Sequence, residues 1–382
     1  MADDRADASS GVESLKLFDF RNYATLSLEF DKRFVVFAGP NGAGKTNLLE
    51  ALSLLSPGRG LRRATYADMV RKGGENAFSI RAGIVADGDE TIVATSVRLD
   101  GEGSSTRQVK IGETQVRSSE ELLDLARIVW LTPAMDGLFT GPAGDRRRFL
   151  DRMVLSVDPA HGKRATDFER AMRSRNRLLS DNRLDDRWLS GIEMQMAELG
   201  VAMAFARAEM VANLTHAIAM ADPSAPFPKA GLFLMPGLDE ADFGKPAVEI
   251  EDLYRDRLSR ERRRDMAAGR TLEGPHRADL SVLHLAKDMP AGLSSTGEQK
   301  ALLVGLVIAH ARLTSTLSGM APILLLDEIA AHLDAGRRAS LFDLVGELGG
   351  QTFMTGTDRD LFEALGDRAQ MMTIAEGAAE RA

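Results

Sequence analysis

Three groups of residues in this chain could do chemistry together. The first is Gly39-Pro40-Asn41-Gly42-Ala43-Gly44-Lys45-Thr46, which matches the pattern G-x4-G-K-T throughout. Glycines let successive backbone N–H groups turn toward an anion, and a helix N-terminus behind them adds a favourable dipole. Such a loop cradles the phosphates of ATP, with Gly39, Asn41, Gly42, Ala43, Gly44, Lys45, Thr46 and the following Asn47 as candidate contacts. Lys45 would reach the β- and γ-phosphates, and the Thr46 hydroxyl would ligate Mg2+. The second group is Asp327-Glu328 at the end of the apolar run Ile323-Leu324-Leu325-Leu326. Asp327 is placed to hold Mg2+, directly or through water, and Glu328 to orient and deprotonate an attacking water. The third is Ser294-Ser295-Thr296-Gly297-Glu298-Gln299-Lys300, where a hydroxyl, a glycine and a helix start make a second phosphate-binding surface at Ser295 and Gly297. Two acids after a strand, or one S-x-G before a helix, say little singly. In the order P-loop, S-T-G-E, D-E they describe an ATPase whose nucleotide is sandwiched between two subunits.

Such groups need an α/β scaffold to hold them, and the hydrophobic pattern supplies one. Phe34-Val35-Val36-Phe37-Ala38 is continuously apolar, as a strand buried on both faces must be, and Asn47 to Leu52 follow the loop at helical spacing. Residues 77–112 alternate with period two, which predicts an antiparallel meander. Between about 144 and 269 the pattern turns helical, and Ile192, Met196, Leu199, Met203, Ala206 and Met210 fall on one helix face. That methionine stripe reads as packing between helices. The stretch from Asp222-Pro223 to Gly244 is rich in Pro and Gly and reads as an interruption. After Gly274 strands and helices alternate again, with strands at 323–326 and 352–354. The expected organisation is a discontinuous α/β head (12–143 and 270–382), a parallel core sheet plus the meander, with a mainly helical arm inserted at 144–269. Residues 1–11 are expected to form a flexible tail.

The 382 residues include no cysteine, which excludes disulfides, thiolate metal sites and cysteine nucleophiles and fits a reducing cytoplasm. The six histidines lack metal-ligand spacing. No apolar run in the sequence approaches the roughly 18–20 residues of a spanning helix, so no membrane partner is expected. A net charge of −8 argues against indiscriminate coating of DNA but leaves room for a local basic surface.

The combined pattern resembles the RecF DNA repair and recombination proteins, which belong with the ABC and SMC-like ATPases. Besides the three groups above, the likeness rests on Phe20-Arg21-Asn22-Tyr23 and on Gly141-Pro142-x3-Arg146-Arg147-Arg148-Phe149-Leu150-Asp151. Gly274-Pro275-His276-Arg277-x-Asp279-Leu280 and Ala331-His332-Leu333-Asp334 extend it over nearly the whole chain. The resemblance implies that Arg21 supports the nucleotide phosphates and that Ser295 and Gly297 contact the γ-phosphate of ATP held by another subunit. Asp334 would lie in a loop linking the two sites of a homodimer. It also implies ATP-dependent dimerisation on gapped or junction DNA, release on hydrolysis, and work with RecO and RecR so that RecA can load. A nucleotide-binding subunit of another ABC-type system, without a DNA function, is the alternative.

Two departures stand out. Met354-Thr355-Gly356-Thr357-Asp358 lacks the histidine that ABC ATPases usually carry there, leaving Thr355 or Thr357 as γ-phosphate sensors. The segment after Trp130 offers Thr132, Pro133 and Asp136 but no glutamine, which implies slow hydrolysis. For DNA phosphates the basic candidates are Arg59, Arg62 and Arg63, and Arg173 and Arg175 in the basic stretch from Lys163 to Arg177. Arg146 to Arg148 are expected to brace the joint between domains, and His276 and Arg277 to hold the region beside the nucleotide.

Overall fold

The structure, a computed structural model, describes residues 10–86, 88–100, 105–181, 185–222, 225–375 and 377–381. The expected tail at 1–11 falls mostly outside these residues; from Ser10 the chain is already in a strand, Ser10–Phe20. Packing divides the chain into two compact units, one within 1–136, 224–227 and 303–382, the other within 137–223 and 228–302.

The first unit contains two six-stranded sheets. In one, the order is Ala378–Arg381, Ala369–Ala375, Phe34–Ala38, Thr352–Gly356, Ile323–Leu326 and Ile128–Leu131, and every pairing after the first is parallel. Every residue of the three central strands is buried, which is why those stretches read as unbroken apolar runs. Parallel pairing has a direct functional consequence. The C-terminal ends of Phe34–Ala38, Thr352–Gly356 and Ile323–Leu326 lie side by side, and each leads into chemistry: Gly39, Thr355 and Asp327-Glu328. The other sheet is antiparallel, in the order Tyr23–Glu29, Ser10–Phe20, Ala77–Ala86, Asp89–Leu99, Ser105–Ile111 and Thr114–Gln115. Its apolar faces join those of the parallel sheet in one core that includes Phe20, Phe37, Phe78, Leu325 and Phe353. Two glutamines stitch chain segments by imitating backbone. Gln351 accepts from Val12 N–H and donates to Val12 C=O, and Gln370 does the same with Asp31 N–H and Glu29 C=O.

The second unit holds the helices Ala143–Leu155, Ala160–Ser180, Asp186–Met220, Ala247–Arg260 and Arg262–Ala268. A three-stranded antiparallel sheet accompanies them, in the order Met289–Pro290, Asp279–His284, Ala230–Met235. The methionine stripe packs as expected: Met196 and Met203 sit in a core with Phe168, Val201, Tyr254 and Leu258. Ala230–Met235 falls within the stretch read as an interruption, and it pairs with Asp279–His284. Residues 270–302, grouped with the head by their α/β pattern, therefore pack with the helical unit. Thr271 adds to this by bonding Asn176 and Arg175. Among the described residues one helix, Thr296–Ser318, is long and apolar enough to cross a membrane by length and composition, contrary to the expectation from sequence. Most of its apolar window is buried inside the fold, as in the core helix of a globular unit.

Candidate nucleotide-binding site

The P-loop connects Phe34–Ala38 to the helix Lys45–Ser53. Two of its glycines are required by close approach. A Cβ on Gly39 would lie 2.2 Å from Ile374 C=O, and one on Gly44 would lie 2.5 Å from Asn22 Nδ2 and 2.6 Å from the Tyr23 hydroxyl. Gly44, at φ 111°, starts the helix, and no side chain caps it. The first N–H groups of that helix therefore lack an intrahelical acceptor and are left for an external anion.

The motif Phe20-Arg21-Asn22-Tyr23 clamps this loop from the antiparallel sheet. Asn22 donates to Ala43 C=O at 3.2 Å, and the Tyr23 hydroxyl donates to Gly44 C=O at 3.1 Å. Burial pushes the Tyr23 hydroxyl up, so it stays a neutral donor. Arg21, implied by the resemblance to support the nucleotide phosphates, reaches the P-loop helix from the end of the first strand. Its Nε and Nη2 both bond the fully buried Glu50 carboxylate at 2.7 Å, and Nη1 donates to Asp68 C=O. Arg21 thus anchors the P-loop helix through Glu50, and its fork is committed there. Glu50 was missed from sequence because it looks like any helical acid.

Lys45 donates to Gly39 C=O and Pro40 C=O at 2.8 and 2.9 Å. Burial depresses its ammonium below the ordinary lysine range, while Glu328 and Asp327 act in the opposite sense. Hydroxyls wire the Asp327 carboxylate to the loop and to the neighbouring strand. Thr46 Oγ1 donates to Asp327 Oδ1 at 2.9 Å, and Thr355 Oγ1 donates to the same oxygen at 2.8 Å. Thr355 Oγ1 in turn accepts from Glu328 N–H at 2.9 Å. Glu328 is held at φ 53°, a conformation uncommon for a residue with a side chain and often found at functional sites. Thr355, considered above as a γ-phosphate sensor, is fully buried and has this linking role; Thr357 is exposed. The pair Thr46 and Asp327 offers only hard oxygen donors, which fits Mg2+.

Ser295 and Gly297 belong to the second unit. Ser295 and Glu298 close a capping box, with Ser295 N–H on Glu298 Oε2 at 3.1 Å and Glu298 N–H on Ser295 Oγ at 3.4 Å. The Lys287 ammonium at 2.5 Å, then the Ser295 N–H, hold the Glu298 carboxyl at about 2. Ser295, Thr296 and Gly297 are left exposed, with open space around Gly297. Asp334 is exposed and caps the helix Ala335–Glu347 by accepting from Arg337 N–H.

Among the proposed DNA contacts, Arg59, Arg62, Arg63 and Arg173 are exposed. Arg59 lies 5.8 Å over the Tyr66 ring, and Arg62 donates to Asn47 and Glu50 beside the P-loop helix. Arg175 is a correction. It is 0 % exposed and bonds Glu193, Asp265, Thr271 and Leu258 C=O, so it is a structural ion in the helical core and cannot reach DNA. The signal was present in the spacing: Phe168, Ala171, Arg175 and Leu179 form one buried stripe.

The chain matches the family model RecF/RecN/SMC N terminal domain over residues 11–380. It is 60% identical over 366 residues to a DNA replication and repair protein RecF from Rhizobium rhizogenes, covering 96% of this chain and 97% of the relative. With the protein of the same name from Mesorhizobium japonicum it shares 56% over 370 residues, 97% of each chain. A solved structure of the recombination mediator protein RecF-ATPrS in the RecFOR pathway superposes with a TM-score of 0.85 at 22% identity, covering 98% of this chain and 99% of that one. An Smc head domain from Pyrococcus furiosus gives 0.53 at 17% identity, covering 98% and 96%. These two carry the fold, an SMC-type ATPase head with an antiparallel sheet and a helical insert. The chain belongs to the RecF family of DNA replication and repair proteins.

Proposed function

We propose that this chain is the ATP-switched DNA clamp of recombinational repair: it closes into a homodimer on ATP, holds gapped or junction DNA, and lets go on hydrolysis. The observation that carries this reading is the continuous hydrogen-bonded line Thr46–Asp327–Thr355–Glu328 beside Lys45. It assembles a phosphate cradle, a metal-type donor pair and a general base in one place. The uncapped helix at Gly44 and the Lys45 ammonium hold the nucleotide phosphates. Thr46 Oγ1 and Asp327 are the groups that would hold Mg2+, which when bound neutralises charge on the β- and γ-phosphates. Glu328 orients the attacking water and takes its proton, the product being ADP and phosphate. Ser295 and Gly297, exposed on the second unit, serve the nucleotide of a second copy. RecO, RecR and RecA are the partners the family name brings with it, the first two assembling with this chain so that RecA loads.

The test is sedimentation of Glu328→Gln with ATP and a gapped duplex. The expected result is a stable dimer that carries the DNA, while Lys45→Ala stays monomeric and binds no ATP. A Glu328→Gln chain that remains monomeric with ATP refutes Glu328 as base, and a dimer without DNA favours the ABC-type alternative.

A further inference from the structure

Outside the nucleotide site, one turn in the second unit is fixed far more tightly than packing requires. Three arginines converge on Gly274 to Asp279. Arg207 Nη1 donates to Pro275 C=O at 2.6 Å, and Arg147 Nη1 donates to Ala278 C=O at 2.8 Å. Arg146 closes two 2.8 Å bonds on the Asp279 carboxylate. The Tyr254 hydroxyl donates to Glu273 C=O just before the turn, and His276 Nε2 sits 3.0 Å from Thr271 C=O. Gly274 takes φ 134°, and Gly237 packs so close that a Cβ there would lie 2.4 Å from Gly274 C=O. The backbone on both sides of Arg277 is thereby clamped.

What the clamp presents is a bare cation. Arg277 is exposed, and among the described residues no carboxylate pairs with it. The nearby acids are already engaged, Asp279 by Arg146 and Asp151 by Arg207 and His161. Its neighbours repel it. Burial, then the charge of Arg207 and after it that of Arg277, depresses the Arg147 guanidinium, with Asp279 and Asp151 acting in the opposite sense; burial first, then Arg277 and Arg147, disfavours a proton on the half-buried His276. A cluster of like charges costs stability unless an anion from outside completes it. A guanidinium fork on a rigid base is the group best matched to a phosphate.

We infer that Arg277, with Arg147 beside it, forms a phosphate-binding locus on the second unit. The ligand is a phosphate oxyanion, from either the DNA backbone or a nucleotide. The inference rests on the proposed reading of the chain as an ATP- and DNA-binding protein.

The test compares wild-type chain, Arg277→Ala and Arg277→Lys in two arms. One arm measures affinity for a labelled duplex over a salt series; the other measures the ATP concentration at half-maximal dimerisation. If the phosphate is DNA's, Arg277→Ala weakens duplex binding on the order of tenfold and lowers the salt slope by about 0.9, and Arg277→Lys restores the slope. If it is a nucleotide's, the shift of similar size falls in the ATP arm alone. In either case the thermal midpoint of Arg277→Ala holds or rises, because a repelling charge is gone. Wild-type binding that Arg277→Ala matches in both arms overturns the inference. A lowered midpoint with both arms unchanged also overturns it, by making Arg277 structural. A wild-type chain that binds neither ligand overturns the proposed function, and the inference with it.

Discussion

Replacing Thr355 with valine keeps its shape and removes one oxygen, which makes it the sharpest test of how the strand ends that carry Asp327 and Glu328 are aligned. In the native chain that oxygen donates to Asp327 at 2.8 Å and accepts from Glu328 N–H at 2.9 Å, with no solvent in reach of the side chain. A hydrogen bond to a charged carboxylate contributes about 1.5–3 kcal/mol and a neutral one about 0.5–1.5 kcal/mol. The loss should therefore lower the stability of the first unit by about 2–4 kcal/mol. The kinetic effect runs through Glu328, whose left-handed backbone at φ 53° is held by the bond that valine cannot make. A base displaced by an ångström loses on the order of 100-fold in rate. Thr355→Val should cut the rate of ATP hydrolysis by about that factor, while ATP affinity, set by the untouched P-loop, changes little. Thr355→Ser should restore both rate and stability. Single-turnover hydrolysis with a nucleotide-binding titration on the same samples decides the matter. A valine variant that hydrolyses at the wild-type rate refutes the alignment role.

The remaining predictions concern the dimer and the helical unit. Ser295→Arg should bind ATP normally yet fail to dimerise; persistent dimers in sedimentation would reduce Ser295 to a helix cap. Arg175→Ala breaks a buried ion cluster and should cost about 3–5 kcal/mol in denaturant unfolding, against about 0.5 kcal/mol or less for the exposed Arg173→Ala; equal effects would contradict the burial. Burial pushes the Asp151 carboxyl up, but hydrogen bonds from His161 and Arg207 outweigh it and hold the group at about 2, below its ordinary 3.8. A depressed carboxyl stabilises above its unfolded pKa, and that contribution, here about 2.5 kcal/mol, is lost as pH falls through the folded value. The wild-type unfolding midpoint should thus drop more steeply than that of Asp151→Asn between about pH 4 and about pH 2, and parallel curves would exclude the coupling.

The fold was legible where burial alone sets the pattern and illegible where a distant partner does. Phe34–Ala38 and Ile323–Leu326 announce themselves because strands covered on both faces carry no polar residue. Ala230–Met235 did not, since its neighbours are proline and glycine and its partner strand Asp279–His284 lies far along the chain. The same long-range pairing moved residues 270–302 out of the head. Local spacing could have excluded Arg175 from the DNA candidates, because it falls on the apolar stripe of its helix. It could not have found the Arg21–Glu50 pair, where both groups are ordinary surface types until the hairpin folds onto the P-loop helix.

The site also holds its own substitutes for the nucleotide. Lys45 spends two donors on the carbonyls of Gly39 and Pro40, and Thr46 spends its proton on Asp327. Phosphate binding draws on the third lysine donor or trades the first two, and Thr46 Oγ1 has lone pairs for a metal while it still donates to Asp327. Each lysine bond traded exchanges a neutral carbonyl for an anionic oxygen, and the added charge attraction favours the bound state without any change in fold. The Asn22 and Tyr23 clamps grip Ala43 and Gly44, carbonyls that take no part in that exchange. The loop's shape is thus fixed from behind while its front is held by bonds made to be traded. Asn22→Ala should therefore weaken ATP binding on the order of tenfold although the residue touches no phosphate, and a calorimetric titration showing wild-type affinity would argue that the loop keeps its shape unaided.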